Sequence, residues 1–114
     1  QFSLAGGDAV EACGFDGLTG QNFDVVLNAT AASLEGQVPS IPADIFAQDA
    51  LAYDLMYADQ PTAFMVWARD HGASQVCDGL GMLVEQAAES FWFWRGGRHD
   101  SGPVIAALRA ALSV

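Results

Sequence analysis

Lysine does not occur in this chain, and four arginines are its only strong cations. Against them stand 14 aspartates and glutamates, for a formal net charge of -10 over 114 residues. Binding to nucleic acid is driven by basic side chains that neutralise phosphates, so neither duplex nor single-stranded nucleic acid is an expected partner. An anionic membrane surface is excluded on the same ground. Long apolar runs are missing too. The longest uncharged stretch, Val25 to Leu34, has ten residues, where a spanning helix needs about 20. Charged residues make up only 16% and hydrophobic residues 52%, which excludes disorder as the main state and fits one domain, or a piece of one, with a buried core.

Cysteine is scarce. Cys13 and Cys77 stand in unrelated contexts, at a spacing that suits neither a zinc site nor a dithiol motif. They read as two buried thiols of a reducing, cytoplasmic compartment rather than as a disulfide. No signal-peptide pattern is visible. The chain opens on Gln1 rather than on an initiating methionine, which is not expected of a native start as translated. His71 and His99 have no neighbouring arrangement of a triad or a metal site. No catalytic and no metal-ligating residue is assigned.

What is present is an alternation of short apolar runs and helical patterns. The glycine-rich opening is irregular, with one short strand near Val10 and a turn over Asp16 to Gly20. Phe23 to Leu27 reads as a buried strand running into Asn28-Ala29-Thr30. Two prolines make Gly36 to Pro42 a loop, and Ile45 and Phe46 fall on a short helical turn. Leu51 to Tyr57 is a second strand. Thr62 caps a helix over Ala63 to His71, stopped by Gly72. Ala73 to Cys77 is a third strand. Leu80, Leu83, Val84, Ala87, Ala88 and Phe91 recur at three-and-four spacing, a helix with a buried stripe ended by Gly96-Gly97. A last helix opens at Ser101 to Pro103. Strands alternating with helices imply α/β architecture with a parallel sheet. The glycine-rich strand-to-helix turn that opens a nucleotide-binding sheet is not made by Gly6-Gly7 or by Gly17 to Gly20, because no apolar strand precedes either. The expectation is therefore the second half of a Rossmann-like doubly wound parallel sheet plus C-terminal helices.

Ligands of such sheets collect beyond the carboxyl ends of the strands. Three polar or glycine clusters fall there: Asn28 to Thr30, Asp54 to Tyr57, and Asp78 to Met82. Asn28 and Thr30 can hold a ribose or phosphate, or tie down their own turn. Gly79 and Gly81 permit close approach of a flat ring, or tight packing of strand on helix. Met82 packs on a ring or in the core. Tyr57 and Gln86 offer a hydroxyl and an amide to a polar substrate, or simply face solvent. Asp54 and Asp78 each precede a turn whose backbone amides need acceptors, which favours structural roles. The aromatic run Phe91 to Trp94 covers more than one helix face, so some of its rings must meet another element.

These segments resemble the carboxyl-terminal part of the shikimate dehydrogenase family. The resemblance rests on Asn28-Ala29-Thr30, on Tyr53-Asp54-Leu55-Met56-Tyr57 with Thr62 and Phe64, and most specifically on Asp78-Gly79-Leu80-Gly81-Met82-Leu83-Val84 followed by Gln86-Ala87-Ala88. It implies reduction of 3-dehydroshikimate to shikimate with NADPH, in aromatic amino acid biosynthesis. It further implies that Leu55, Gly79 and Met82 lie near the nicotinamide. Asn28, Ala29 and Thr30 would line the cofactor cleft, and Tyr57 and Gln86 would reach the substrate. By the same resemblance residues 1–114 are a partial NADP-binding domain with C-terminal helices. The catalytic lysine and aspartate belong to an amino-terminal substrate domain that nothing here matches. Ala31, Ala32 and Ser33 replace the family's usual serine or proline and glycine after Asn-Ala-Thr, and Ala63 replaces a proline. The rival expectations are a quinate-acting relative using NAD, a non-catalytic Rossmann-like binding module, and a truncation product without a function of its own.

Overall fold

The computed structural model describes residues 10–113. Their elements in order are β1 (Phe23–Asn28), β2 (Phe46–Asp54), α1 (Ala63–Asp70), β3 (Gln75–Cys77), α2 (Leu80–Arg95) and α3 (Ser101–Leu112), with 3-10 helices at Phe15–Leu18 and Ala31–Glu35. The strands form one parallel sheet in the order β1-β2-β3. This is a Rossmann-like α/β arrangement, its carboxyl-terminal portion, as expected. Gly6 and Gly7 lie outside the described residues.

Side chains alternate across a strand, so each register row belongs to one face. Val26, Ala52 and Val76 are in register and turn toward α1, where Phe64 and Ala68 are fully buried against Ala52 and Ala73. The small residues Ala50 and Ala52, both without exposed surface, let the helix approach. Phe46 and Trp67 close the rim of this core. On the opposite face Val25 and Leu27 are exposed, so β1 is covered on one face only and is not the buried strand expected over Phe23 to Leu27. Thr62 caps α1 by accepting a hydrogen bond from Met65 N at 3.3 Å, and Asp100 caps α3 by accepting from Gly102 N at 3.0 Å. Gly96 ends α2 in a left-handed conformation, φ 74°, which glycine adopts without Cβ strain.

Four further expectations are revised. Val10 to Gly14 are coil, and the rest of the strand expected near Val10 lies outside the described residues. Ile45 and Phe46 form no helical turn: Phe23 N donates to Ile45 O at 2.8 Å, Phe46 pairs with Phe23, and β2 starts there. The pattern was hidden by a bulge. Between the Phe23–Phe46 and Val25–Leu51 pairs the register shifts, with Asp49 at φ 61° within the extra length; such an insertion breaks the period of two. At its other end β2 stops at Asp54 rather than Tyr57, because the Asp54 carboxylate takes Met56 N at 3.1 Å and turns the chain out of the ladder. Finally, Cys13 and Cys77 are free, as expected, but exposed rather than buried. Cys77 sits in register with Tyr53, on the side of the sheet away from α1.

The α2 stripe is also less covered than its periodicity implies. Leu80 and Val84 are buried, while Leu83 and Phe91 are exposed and border, with Val104 and Leu108 of α3, an apolar cleft of about 330 Å³. Only the first turns of α2 reach the buried interior; beyond them α3 is the element that packs on it.

Two contacts fix the start of α2. Gly79 N donates to Met56 O at 2.9 Å, and a Cβ on Gly79 would stand 2.0 Å from the Leu55 carbonyl oxygen. Its φ of -80° is ordinary, so glycine is required here for space. Arg109 of α3 forks onto Asp78, Nη1 to Oδ2 at 2.5 Å and Nη2 to Oδ1 at 2.6 Å, and Asp78 Oδ1 also accepts from Leu80 N at 3.2 Å. The Arg109 hydrogen bonds hold the Asp78 carboxyl below its ordinary range against the opposing effect of burial.

Two outcomes are expected. Gly79→Ala destabilises by about 1–3 kcal/mol, the usual cost of overpacking. Gly81→Ala, where a Cβ meets nothing within 4 Å, is neutral or stabilising by up to about 1 kcal/mol; denaturation midpoints of the two variants make the comparison. For Arg109→Gln, the lowered Asp78 pKa sets the sign. The pair's contribution is fully present above the unfolded aspartate value of about 3.9 and disappears as pH falls through the lower folded value. Thermal melts should therefore separate wild type from Arg109→Gln at pH 5–7, by no more than about 1 kcal/mol for a partly exposed pair, and converge in stronger acid.

Candidate functional site

The carboxyl ends of β1 and β2 carry a continuous polar network centred on Asp54. Asp54 has 0% exposed surface and Asn28 3%. Oδ2 of Asp54 accepts from Ser33 Oγ at 2.7 Å and from Thr62 Oγ1 at 2.6 Å. Oδ1 accepts from Met56 N at 3.1 Å and, more distantly, from Asn28 Nδ2 at 3.4 Å. Both hydroxyls have their proton direction settled by what they accept: Ser33 Oγ takes Asn28 Nδ2 at 3.1 Å, and Thr62 Oγ1 takes Met65 N. Each hydroxyl proton therefore points at Asp54. Asn28 Oδ1 in turn accepts from Thr30 N at 3.1 Å and Thr30 Oγ1 at 2.7 Å, and Thr30 Oγ1 accepts from Ala32 N. Among the described residues no buried side-chain polar atom is left without a partner.

This network builds the edge on which the remaining groups stand. Leu55 N donates to Asn28 O at 3.0 Å, which carries the β1–β2 pairing one residue past β2. Met56 O then receives Gly79 N, so the chain after β2 and the start of α2 are joined by their backbones. Leu55 is half-buried, Tyr57 and Met82 are exposed, and Gly81 opens on free space. Gln86 follows Met82 by one turn on α2, its side chain exposed. A cavity of about 480 Å³ adjoins the edge, bordered by Tyr53, Pro61, Cys77, Gly81, Ile105 and Arg109.

The structure thus brings Asn28, Ala29, Thr30, Leu55, Tyr57, Gly79 and Met82 to one edge, with Gln86 a turn further along α2. It engages the side chains of Asn28 and Thr30 within the protein and leaves Tyr57, Met82 and Gln86 accessible. Asp54 and Asp78 both take backbone amides of the following turn, as their positions suggest. Sequence reading missed Ser33, and it missed the second task of Thr62, which caps a helix and also donates to Asp54. Neither has a local signature, because their partner lies 21 and 8 residues away. His71 Nδ1 donates to Trp67 O at 2.7 Å and its ring stacks on the Trp67 ring; His99 meets Phe91 edge-on. Among the described residues no cluster of His, Cys, Asp and Glu could hold a metal ion, and no helix is long and apolar enough to cross a membrane.

An accessible hydroxyl, an accessible amide and a thioether beside an open glycine can bind one side of a flat, polar ligand. The chain that carries this edge is similar to known proteins. Residues 79–109 match the family described as Shikimate 5'-dehydrogenase C-terminal domain. The chain is 60% identical over 108 residues to the shikimate dehydrogenase (NADP(+)) of Halorhodospira halophila, covering 94% of this chain and 40% of that one. An Ael1 enzyme from Pseudomonas putida is similar in structure with a TM-score of 0.76 at 47% identity, over 88% of this chain and 35% of that chain. The shikimate 5-dehydrogenase of Thermus thermophilus, in complex with NADP(H) and shikimate, gives a TM-score of 0.66 at 35% identity, over 78% of this chain and 34% of that one. The chain spans about two fifths of the length of the curated relatives it matches. With this homology running through nearly all of its length, the chain belongs to the shikimate dehydrogenase family and corresponds to the carboxyl-terminal part of its members.

Proposed function

We propose that this chain forms the nicotinamide-side wall of a cytoplasmic enzyme that reversibly reduces 3-dehydroshikimate to shikimate with NADPH. Residues 1–114 then belong to the cofactor domain and its C-terminal helices, and an amino-terminal substrate domain completes the site. The observation that carries the reading is the edge itself: Leu55, Tyr57, Gly79 and Met82 aligned at the ends of parallel strands, with Gln86 beyond, in a sequence 60% identical to a shikimate dehydrogenase (NADP(+)). A relative in complex with NADP(H) and shikimate supports the same ligands, and two free thiols suit a reducing compartment.

The residues present fit the nicotinamide end of the cofactor. Gly81 leaves open space, and Leu55 and Met82 offer apolar surface beside it; Gly79 keeps the α2 backbone close to Leu55. Asn28, Ala29 and Thr30 form the adjoining wall of the cleft, held by the Asp54 network. The phosphate groups find less here, since Arg109, the arginine at this edge, is engaged by Asp78. When bound, NADPH supplies the hydride. Tyr57 donates a hydroxyl, and the Gln86 amide both donates and accepts, toward the hydroxyls and carboxylate of the substrate. Together they set the ring against the wall so that the reacting atoms meet in one orientation. The chain has no lysine, and the proton for the carbonyl comes from the substrate domain.

The isolated chain should accordingly give no absorbance change above background with shikimate and NADP or NAD, because one wall neither encloses the cofactor nor provides the acid. Turnover by rigorously pure 114-residue material would overturn this reading. In the full-length protein, Gln86→Ala should lower kcat/KM for shikimate by about 5- to 150-fold, the cost of one lost hydrogen bond at a desolvated site. The melting temperature should hold, because Gln86 is exposed and alanine favours helix. Steady-state kinetics with shikimate and quinate, each with NADP and NAD, measures both the loss and the substrate and cofactor choice. A loss under about twofold removes Gln86 from substrate binding.

A further inference from the structure

Asp54 is a fully buried acid that touches neither the open edge nor the cavity, and the reaction as derived makes no use of its chemistry. We propose that it is the positioning residue of the site, setting the placement of Leu55 and Tyr57 through the Met56 amide. The proposal rests on the reading of the chain as one wall of a dehydrogenase.

Among the described residues, the backbone just beyond β2 has three supports. Leu55 N holds to Asn28 O, Met56 N to Asp54 Oδ1, and Met56 O to Gly79 N. The first belongs to the sheet and the third to the start of α2. Only the second comes from a side chain, and that side chain is anchored on its other oxygen by Ser33 and by the cap of α1. Asp54 thereby ties the segment that carries Leu55 and Tyr57 to β1, to α1 and, through Met56, to the turn that carries Gly79 and Met82. All of its partners donate. An asparagine of the same shape has one oxygen for these four donors. Turned so that the oxygen keeps Met56 N, its NH2 faces the Ser33 and Thr62 hydroxyls, which can accept it but then lose the acceptor of their own protons, so the short bonds that anchor the side chain are given up. Turned the other way, its NH2 faces Met56 N. In either orientation the anchored hold on Met56 N is loosened, and with it the segment over 55–57.

The test compares Asp54→Asn with wild type in the full-length protein, well below both melting temperatures. In the apoprotein, amide hydrogen exchange at Met56 and Gly79 should quicken by about tenfold or more while Val26 and Ala52, within the sheet, keep their protection. In turnover, kcat should fall by about 10- to 100-fold, more than KM for shikimate rises, as expected when reacting groups are displaced by a fraction of an ångström to an ångström. A primary isotope effect from deuterated NADPH should grow as hydride transfer becomes rate-limiting. If Asp54→Asn does not fold, Ser33→Ala, which removes one of the Oδ2 donors and leaves the Met56 bond, should show the same split at about 3- to 10-fold. A folded Asp54→Asn with lowered stability but unchanged kcat, or with unchanged exchange at Met56 and Gly79, overturns the proposal. If full-length wild type lacks shikimate dehydrogenase activity, it is the functional reading that fails, and the exchange data still decide whether Asp54 positions the segment.

Discussion

A carboxylate taken wholly out of water must recover its hydration from the protein, and Asp54 does so by gathering four donors. Those donors come from the end of β1, the following 3-10 helix, the cap of α1 and the backbone just past β2. Satisfying one charge therefore fixes the relative positions of four chain segments at a single point. Hydrogen bonds to a charged group contribute about 1.5–3 kcal/mol each, where neutral ones contribute about 1. Leaving any donor unmet at such depth costs a comparable amount, so the arrangement has little freedom to drift. The hydroxyls of Ser33 and Thr62 add direction. Each accepts one hydrogen and gives one, so the proton order of the whole network is unique.

The two ends of the molecule contrast with one another for this reason. At the carboxyl edge of the sheet, backbone and side chains are joined in both directions, and the apolar core of Ala52, Phe64 and Ala68 lies directly beneath. Along the outer half of α2, contact to α3 and the turn before it combines apolar side chains with exposed polar bonds, Glu85 to Ser101 and Glu89 to Arg98, and Phe93 and Trp94 remain 79% and 77% exposed. Apolar packing with solvent-exposed bonds tolerates repositioning more readily than a buried, shared carboxylate does. The groups to which the proposed function gives a positioning task stand on the first kind of support: Leu55, Tyr57, Gly79 and Met82 all follow directly from it.

Much of this was legible in the sequence, and the reasons are specific. Phe23 to Leu27 and the helix from Thr62 carry strong local patterns, and Asp78 to Met82 is a motif whose glycine at 79 has a spatial reason that the structure displays. The start of β2 was not legible, because the bulge around Asp49 throws Phe46 out of the alternation that marks a strand. Nor was its end: Leu55 to Tyr57 look like strand residues by type, and only the capture of Met56 N by Asp54 ends the ladder. Burial of α2 was overestimated, since a periodic stripe records which face is apolar and carries no information about what stands opposite. Ser33 was visible only as a departure from the usual residue after Asn-Ala-Thr; its role depends on an oxygen 21 positions along the chain.

A chain with a net charge of -10 should repel an anionic substrate and a phosphate-bearing cofactor, and the edge meets that difficulty by the way its acids are placed. Of those nearest the site, Asp54 is enclosed by donors, Asp78 faces Arg109 and Leu80 N, and Asp59, which borders the cavity, stands exposed to solvent. The field that each of the first two projects toward the edge is reduced by the dipoles and the charge set against it. The first turn of α2 begins at the same edge, and its unpaired amides add positive potential there. The groups left to face a ligand, Tyr57, Met82 and Gln86, are neutral. Repulsion from Asp59, which is exposed, and from the more distant acids is screened over about 8–10 Å at ordinary ionic strength, so an anion that reaches Tyr57, Met82 and Gln86 meets groups that are themselves uncharged. The cations that would bind phosphates and carboxylates actively are then needed only from the facing domain, which divides the work of the proposed enzyme between a wall that orients and a partner domain that attracts and protonates.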